Sequence, residues 1–414
     1  MIELTKKNYG GVINVNGSKS YGHRALIAAS LVKKGTSKIT NVYFSDDIKA
    51  TISSLESLGA TFKIEGKTIY VTGINFDLDE VILDVEESAS TLRFLLPLAS
   101  HYSNIAHFKT KGKLGSRPLN VYEHLFSVHR NCNLTSASGK LQAGDYFIDG
   151  SVSSQFISGL LFVLPLLKGN STIYIQNKIS SLSYILMTID LLNEFNIKID
   201  FDIENKKINI KGNQEYQKVD YQVENDFSQA AVFLSLGAIS NHPITVTGLN
   251  INSLQPDRNI INILQSMGVN LTIDNDKITT SKSKLKRTTI SLDENPDLGP
   301  ILMGISCFAN EDIYFTNISR LRIKESDRIE AMKVNLEKLG VNLEIIDDEN
   351  CIVHPSRLIT PNCVLSSYND HRIFITLTLI THHLNVTIDN EYCVNKSYPT
   401  FLEDLKKLEI DLNE

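Results

Sequence analysis

Cationic side chains gather in short polar segments of this chain, and most of these segments come directly before an apolar stretch. The cations are Lys19, Arg24, Arg93, Arg117, Arg322, Lys324, Arg328, Arg372 and Lys396. The densest segment, "RLRIKESDRIE" at 320–330, carries four cations within nine residues. Arginine forks suit bidentate binding of phosphate or carboxylate, whereas lysine serves as a point charge or a tunable acid. Ion pairing along one helix needs fewer cations, so the pattern indicates binding of small anions.

Two carboxylates, Asp297 and Glu325, fall among these cations. Neighbouring cations depress a carboxyl pKa, so each group is a candidate counter-ion or a candidate general base for a hydroxyl. His371 in "NDHR" is a candidate proton carrier, although a lone histidine is more often a packed or capping residue. Neither a nucleophile–histidine arrangement nor a metal-ligand spacing is present in the sequence. These residues predict a transferase or lyase that needs no metal or cofactor and acts on doubly anionic substrates.

The segment "VNGSKSYGHRALIAAS" at 15–30 invites comparison with a nucleotide-binding loop. A GxxxxGK[ST] loop needs lysine directly after its last glycine. Here Ser18 intervenes, and Val12 stands where the upstream glycine is required. The spacing therefore disfavours a phosphoryl-transfer kinase and leaves an anion site of another kind.

The composition bounds the class of protein. The 414 residues carry a net charge of −6 with a pI of about 6.0, unlike a general nucleic-acid-binding surface, which is basic. The longest apolar run, 156–167, is too short to span a bilayer and contains Pro165. Five cysteines without CxxC spacing, and an N-terminus unlike a signal peptide, predict a cytoplasmic protein that binds no membrane. A chain of this length predicts two domains.

A repeated pattern organises the chain: an amphipathic helix ending near Leu-Gly, a strand, a polar turn and a second strand. Copies run over 55–73, 191–212, 263–281 and 336–356, with a weaker copy from a helix at 119–128 to a strand at 145–150. A sixth helix at 401–410 lacks its second strand, which the segment from Ile2 to Val15 is expected to complete. Six such units, three per domain, predict an α/β fold.

Short apolar helices are predicted between these units, each buried because it is apolar nearly all round. They lie at 24–32, 92–100, 156–167, 230–239, 301–309 and 373–380. Polar clusters precede them, and helix N-termini carry unpaired N–H groups that attract anions. Any single cluster is more often an ordinary N-cap. Six together, with cations in several, favour a shared anion site.

Several segments taken in series resemble those of the EPSP synthase (3-phosphoshikimate 1-carboxyvinyltransferase) family of enolpyruvyl transferases. They are "GSKSYGHRAL", "STLRFL", "LGSRPL", "GSVSSQF", "RLRIKESDRI", "NDHR" and "KSYP", in the family's order and spacing from Gly17 to Pro399. The resemblance implies a two-domain inside-out α/β barrel (EPT/RTPC-like) of six βαβαββ units. We expect residues 1–16 plus 225–414 to form one domain and 17–224 the other, with the active site in the cleft between them.

The resemblance also implies roles for the matching residues. Shikimate 3-phosphate is expected at Lys19, Ser20, Arg24, Ser153, Ser154, Gln155, Ser181, Tyr184, Asp297 and Lys324. Phosphoenolpyruvate is expected at Lys19, Ala89, Arg117, Gln155, Arg328, Arg372 and Lys396. The implied reaction adds the 5-hydroxyl of shikimate 3-phosphate to C2 of phosphoenolpyruvate and then eliminates phosphate. Asp297 is the candidate base for the hydroxyl, and Glu325, with Lys19 or Lys396, the candidate for proton transfer at C3.

Two residues of "ESASTLR" depart from the family pattern, in which many members have Asn at Glu87 and Gly at Ala89. A glycine lets the backbone approach phosphoenolpyruvate closely, so the Ala89 methyl is expected to narrow this pocket. We therefore expect weak inhibition by glyphosate, a bulkier competitor at the same site. Steady-state inhibition of the purified enzyme measures this, and submicromolar inhibition would contradict it. Some family members have Asn at Arg320 and others Arg, so its role stays open.

Three alternatives remain beside this interpretation. The enolpyruvyl transferases that act on UDP-N-acetylglucosamine share the fold but usually use a loop cysteine as acid, near the "KLGSRP" segment. No cysteine lies there in this chain, and Cys132 lies well beyond it. The kinase is disfavoured by the loop spacing given above. A six-unit binding protein without catalysis would not need Asp297, Glu325 and Lys19 together. Members of the family are usually monomers, so the resemblance implies that this protein is a monomer.

Overall fold

A computed structural model describes residues 1–74 and 78–410. Within these ranges the helices are α1 (Lys19–Ser30), α2 (Asp46–Ser57), α3 (Ala89–Tyr102), α4 (Ser154–Val163), α5 (Leu182–Glu194), α6 (Phe227–Ile239), α7 (Ile260–Ser266), α8 (Gly299–Ser306), α9 (Arg328–Lys338), α10 (His371–Thr378) and α11 (Phe401–Lys406). None of the helices in the described part of the chain is long and apolar enough to cross a bilayer.

Short strands separate the helices. They are β1 (Ile2–Leu4), β2 (Asn8–Tyr9), β3 (Gly11–Asn14), β4 (Thr36–Thr40), β5 (Thr61–Glu65), β6 (Thr68–Thr72), β7 (Leu78–Glu86), β8 (Ser103–Thr110), β9 (Ser127–Asn131), β10 (Leu134–Ser138), β11 (Asp145–Asp149), β12 (Ser171–Gln176), β13 (Ile199–Asp202), β14 (Lys207–Ile210), β15 (Asp220–Gln222), β16 (Ile244–Thr247), β17 (Asn270–Asp274), β18 (Lys277–Ser281), β19 (Thr288–Ser291), β20 (Ile313–Thr316), β21 (Asn342–Ile345), β22 (Asn350–His354), β23 (Val386–Ile388) and β24 (Glu409–Ile410).

Contacts along the chain divide it into two units. Gly17–Glu224 forms one, here called the continuous unit. Met1–Asn16 together with Asn225–Glu414 forms the other, here called the discontinuous unit. Each unit alternates helices and strands in repeats, so the predicted α/β class is confirmed.

The continuous unit repeats one sheet design in its described residues. The strand orders are β15-β4-β6-β5, β7-β8-β10-β9 and β11-β12-β14-β13. In each sheet the first pair is parallel and the remaining pairs are antiparallel. Helix α3 is the crossover between β7 and β8, and α4 lies in the crossover between β11 and β12, whereas β4 and β15 are joined by most of the unit. Helices α1, α3 and α4 are buried nearly all round, while strand residues alternate between buried and accessible. The helices therefore lie inside the unit, because they are apolar nearly all round. The sheets lie outside, because each has one buried face and one accessible face.

The discontinuous unit uses the same design. Its four-stranded sheets run β17-β18-β16-β3 and β19-β20-β22-β21. The N-terminal segment completes the last repeat as predicted, since β1 pairs with β23 and β2 with β24. The same segment supplies β3, which lies parallel to β16. One strand of the first repeat in each unit thus comes from a distant part of the chain.

One sequence prediction is wrong, the helix at 119–128. Residues 119–126 form successive turns, in which Tyr122 N–H donates to the Leu119 carbonyl at 2.8 Å. The Tyr122 hydroxyl lies 2.9 and 2.8 Å from the carbonyl oxygens of Arg93 and Phe156, and these buried contacts outweigh helix propensity. The segment 145–149 is likewise not the closing strand of this repeat. It forms β11, which opens the next sheet beside β12.

Candidate active site

The polar clusters before the buried helices act partly as ordinary N-caps. The side chains of Ser18, Ser88, Ser153, Asp226 and Asp370 accept hydrogen bonds from backbone N–H groups of α1, α3, α4, α6 and α10. Side-chain caps are typical at such positions and explain these five residues without any ligand. The cations of the same clusters have other surroundings, which differ between the two units.

In the continuous unit, Lys19 opens α1 and pairs with a carboxylate that the sequence did not single out. Its Nζ lies 2.7 Å from Oδ2 of Asp47, in the first turn of α2. The two side chains are 19% and 8% exposed. Lys19 is therefore held at the start of α1 but keeps an accessible side, as a substrate-binding cation requires. The signal for Asp47 is local, since Ser45 caps α2 and acidic residues favour a first turn.

Arg24 is a buried cation one turn further along α1. Its three nitrogens donate to neutral oxygens: the Thr188 hydroxyl at 2.8 Å, and the carbonyls of Ser20 at 2.9 Å and Tyr184 at 3.4 Å. The guanidinium lies 4.9 Å from the ring centre of Phe94 and 5.6 Å from that of Tyr184. Burial lowers the pKa of Arg24 to about 10. No carboxylate pairs with Arg24 among the described residues, so its charge favours an anionic ligand.

The N-termini of α3 and α4 are joined through Gln155. Arg93 donates to the Gln155 side-chain carbonyl at 2.9 Å, and the Gln155 amide donates to the Ser90 hydroxyl at 3.0 Å. Ser153 and Ser154 are buried beside them, and Ala89 is the first residue of α3, 9% exposed. Four predicted substrate residues therefore lie on two adjoining helix starts.

The remaining predicted residues of this unit lie on loops or at the start of α5. Ser181 precedes α5 and is buried with φ +56, a conformation that costs a non-glycine residue free energy and is often found at functional sites. Tyr184 follows in the first turn of α5 and stacks on Arg24. Arg117 is half-buried just after a 3-10 turn, and its carbonyl accepts a hydrogen bond from Arg130 at 2.9 Å.

The discontinuous unit has Arg328 at its centre, with a side chain 1% exposed. Its Nε, Nη1 and Nη2 each lie 2.8 Å from a carboxylate, those of Asp370, Asp297 and Glu325 respectively. Burial opposes the charge of Arg328, but these carboxylates raise its pKa above the usual range. All three nitrogens of the guanidinium are therefore occupied by protein groups in this structure.

Asp297 joins Arg328 to Lys324, whose Nζ lies 3.1 Å from the same carboxyl oxygen. Burial alone would raise the pKa of Asp297, but Lys324, Arg372 and Arg328 hold it well below the usual range. Burial also lowers the pKa of Lys324 to about 8, against the attraction of Asp297. At neutral pH the pair is charged, with Asp297 in the form that can accept a proton.

Arg372 and Lys396 have looser partners. Arg372 Nη2 donates to the Ser228 hydroxyl at 3.1 Å, and its nearest carboxylate oxygens, on Asp257 and Asp297, are 3.9 and 4.0 Å away. Lys396 lies 3.6 Å from Glu325. The two carboxylate distances of Arg372 exceed ordinary hydrogen-bond lengths, so its guanidinium retains donor capacity for a ligand.

Sequence reasoning missed two carboxylates of this cluster. Asp370 is fully buried and pairs with Arg328, and Asp257 is buried beside Arg372. The signal for Asp370 was its position before α10, which indicated only an N-cap. Asp257 lies in "QPDRN" with no chemical pattern around it, so nothing in the sequence marked it. His371, the candidate proton carrier, is buried as the first residue of α10.

Comparison with known proteins gives a consistent result. The sequence profile described as EPSP synthase (3-phosphoshikimate 1-carboxyvinyltransferase) matches residues 5–405. A 3-phosphoshikimate 1-carboxyvinyltransferase of Clostridium kluyveri is 39% identical over 423 aligned positions, covering 100% of this chain and 98% of the relative. That of Clostridium novyi is 38% identical, covering 98% and 97%.

Solved structures agree on the fold. An EPSP synthase from Acinetobacter baumannii superposes with a TM-score of 0.80 at 20% sequence identity, covering 98% of each chain. The enolpyruvyl transferase NikO from Streptomyces tendae gives a TM-score of 0.78 at 17% identity, covering 99% of this chain and 97% of that one. At these identities the superpositions establish a shared architecture, whereas the family membership rests on the sequence matches.

Proposed function

This chain belongs to the EPSP synthase family, and from that premise we propose how its two clusters divide the binding of the substrates. The reaction transfers the carboxyvinyl group of phosphoenolpyruvate to the 5-hydroxyl of shikimate 3-phosphate and releases phosphate. It is a step of the shikimate pathway, which leads to chorismate and the aromatic amino acids. Both substrates carry a phosphate and a carboxylate, so their binding needs many cations. Few protein carboxylates should neutralise those cations.

Shikimate 3-phosphate is assigned chiefly to the continuous unit. The observation that carries the assignment is Arg24, a buried guanidinium without a carboxylate partner among the described residues. An uncompensated buried charge is costly, and a bound dianion offsets that cost. The other residues of the proposal are Lys19, Ser20, Ser153, Ser154, Gln155, Ser181 and Tyr184, with Asp297 and Lys324 from the discontinuous unit.

Phosphoenolpyruvate is assigned chiefly to Arg372, whose guanidinium makes one hydrogen bond within the described residues, and to Lys396, whose ammonium lies 3.6 Å from Glu325. Arg328 needs a different account, because carboxylates occupy all three of its nitrogens. We expect phosphoenolpyruvate to displace Glu325 or Asp297, which are 15% and 23% exposed, while the fully buried Asp370 keeps Arg328 in place. Lys19, Ala89, Arg117 and Gln155 complete the proposed set.

The proposed chemistry uses Asp297 and Glu325 in turn. Asp297 takes the proton of the 5-hydroxyl while the hydroxyl oxygen bonds to C2 of phosphoenolpyruvate. At the same time C3 gains a proton delivered through Glu325 with Lys19 or Lys396. In the second step Glu325 takes a proton back from C3 of the tetrahedral intermediate as the bond from C2 to the phosphate oxygen breaks. Phosphate leaves and the enol ether remains. The cations stabilise negative charge throughout without forming covalent bonds.

A matched pair of variants tests the division of substrates. Arg24→Gln is expected to raise KM for shikimate 3-phosphate at least about 30-fold and KM for phosphoenolpyruvate only a few fold. Arg372→Gln is expected to do the reverse, because loss of one buried charged contact typically costs 2–5 kcal/mol or about 30-fold and more. Phosphate release with both substrates varied gives the two KM values. Equal changes for both substrates in either variant would contradict the assignment.

UDP-N-acetylglucosamine in place of shikimate 3-phosphate is the control substrate for this assay. Phosphate release with it at a comparable rate would favour the related transferase instead.

We further propose that the enzyme acts as a monomer in the cytoplasm, which fits five cysteines that are free thiols. Light scattering is expected to give a mass near the 46.3 kDa of one chain, and twice that mass would contradict a monomer.

A further inference from the structure

Asp257 is a buried carboxylate that the proposed reaction does not use. It lies in the 3-10 turn Pro256–Asn259 ahead of α7, and the residue is 2% exposed. Its Oδ2 accepts a hydrogen bond from the Ser228 hydroxyl and lies 3.9 Å from Arg372 Nη1. Its Oδ1 is buried without a hydrogen-bond partner among the described residues. A buried carboxylate with one unpaired oxygen is costly, which points to a specific role.

Ser228 connects this carboxylate to Arg372. A hydroxyl has one proton, and here that proton is donated to Asp257. The lone pairs of the same oxygen therefore face Arg372, whose Nη2 donates to it at 3.1 Å. This is the one short hydrogen bond that the guanidinium makes within the described residues, and its Nε is buried without a partner there.

We propose that Asp257 and Ser228 are positioning residues for Arg372, which orient its guanidinium through a single hydrogen bond while its other donors stay available to phosphoenolpyruvate. The proposal rests on the proposed role of Arg372 in binding that substrate. Arg328 shows the contrast, since carboxylates that contact its guanidinium directly occupy all of its nitrogens. A hydroxyl placed between carboxylate and guanidinium fixes the orientation without saturating the group.

Charge makes an opposing contribution. Asp257 also repels an anionic substrate, so loss of its charge alone would tighten phosphoenolpyruvate binding. The groups facing Asp257 are Ser228 of α6, Arg372 of α10, Asp297 before α8 and Asp226 before α6. Burial raises the pKa of Asp257 to about 6, against the attraction of Arg372. The orientation of Ser228 is thus expected to weaken when this carboxyl becomes protonated.

Ser228→Ala separates orientation from charge, because it removes the hydrogen bond and leaves every charge in place. We expect KM for phosphoenolpyruvate to rise about tenfold at pH 7.5, with kcat and KM for shikimate 3-phosphate within about twofold of wild type. Ser240→Ala, the same substitution at the buried far end of α6, is the matched control and is expected to change neither KM. Asp257→Asn is expected to raise KM for phosphoenolpyruvate by less than Ser228→Ala does, because loss of the repelling charge offsets part of the lost orientation, and the double variant is expected to show no rise beyond that of Ser228→Ala.

The ratio of the Ser228→Ala KM to the wild-type KM gives a second readout. It is expected to fall at least twofold between pH 7.5 and pH 5.5, because protonated Asp257 no longer orients the wild-type hydroxyl. Titration of phosphoenolpyruvate itself affects both enzymes and cancels in the ratio. A pH-independent ratio, additive variants, or a lower KM in Asp257→Asn would overturn the proposal.

The outcome for Arg372→Gln keeps the two proposals apart. If that variant binds phosphoenolpyruvate normally, the proposed role of Arg372 is wrong and the positioning proposal falls with it. If Arg372→Gln binds phosphoenolpyruvate weakly but Ser228→Ala binds it normally, only the positioning proposal is wrong. Thermal denaturation of each variant establishes that the protein is folded before the KM values are compared.

Discussion

Replacing Asp297 by Asn is expected to lower kcat about 10³-fold while both KM values change less than about threefold. The substitution preserves the size of the side chain and removes the group proposed to accept the hydroxyl proton, a role worth 10²–10⁴-fold in rate. Ground-state binding is expected to persist, because Lys324, Arg328 and Arg372 remain and lose a competing carboxylate. Rapid-quench turnover with both substrates saturating measures the chemical step directly.

Asp327→Asn is the matched control for this variant. Asp327 caps α9 and pairs with Arg322 at 3.1 Å, in the same charged segment, and within the described residues its carboxylate makes no ion pair with the guanidinium of its neighbour Arg328. Asparagine caps a helix as well as aspartate does, so kcat is expected to stay within about threefold of wild type. A kcat of Asp297→Asn within tenfold of wild type would contradict its role as base.

The depressed pKa of Asp297 has a consequence for how it acts as a base. In the substrate-free protein the cations that lower this pKa also make the carboxylate a weak proton acceptor. Bound phosphate and carboxylate groups would compete for Lys324 and Arg372 and so weaken the attraction that lowers the pKa. The base strength of Asp297 is therefore expected to rise when both substrates are bound, which couples proton transfer to occupancy of the site.

The fold was predictable from sequence where the signals are local. Buried helices such as α6 combine a capping residue, Asp226, with an apolar run, and both features act within one helix. The turns at 119–126 were mispredicted because the Tyr122 hydroxyl bonds to α3 and α4, a contact that no local pattern encodes. Register between strands such as β3 and β16 also depends on segments more than 200 residues apart.

The candidate site likewise has features that local sequence predicted and features that depend on distant residues. Its cations were predictable because arginine and lysine cluster visibly in the segments before the helices. Their partners were not, since Arg328 and Asp370 are 42 residues apart and Ser228 and Arg372 are 144 apart. Whether an arginine is saturated, like Arg328, or retains donors, like Arg372, depends on these distant partners. Sequence thus indicated candidate anion-binding residues, and the structure distinguishes the saturated guanidinium of Arg328 from that of Arg372.

Lys19→Met is the second large effect that we expect, with kcat/KM lowered at least about 10³-fold for either substrate. Lys19 is the cation proposed to contact both substrates and to share proton transfer at C3, so its loss removes binding and catalytic contributions together. The substitution also deprives Asp47, 8% exposed, of an ammonium partner at 2.7 Å. Breaking a pair this little exposed is expected to reduce stability as well, which by itself would lower measured activity.

The double variant Lys19→Met, Asp47→Asn separates the two effects. Removing the carboxylate restores electrostatic balance, so the melting temperature is expected to return toward that of wild type while activity remains lost. Asp47→Asn alone is expected to keep substantial activity, because Lys19 retains its charge. If the double variant regained activity along with stability, Lys19 would be only a structural partner of Asp47 at the start of α1. If both properties stayed low, the pair would matter to the fold more than its charges account for. Activity lost in a protein of wild-type stability is the result that only direct action of Lys19 on the substrates explains.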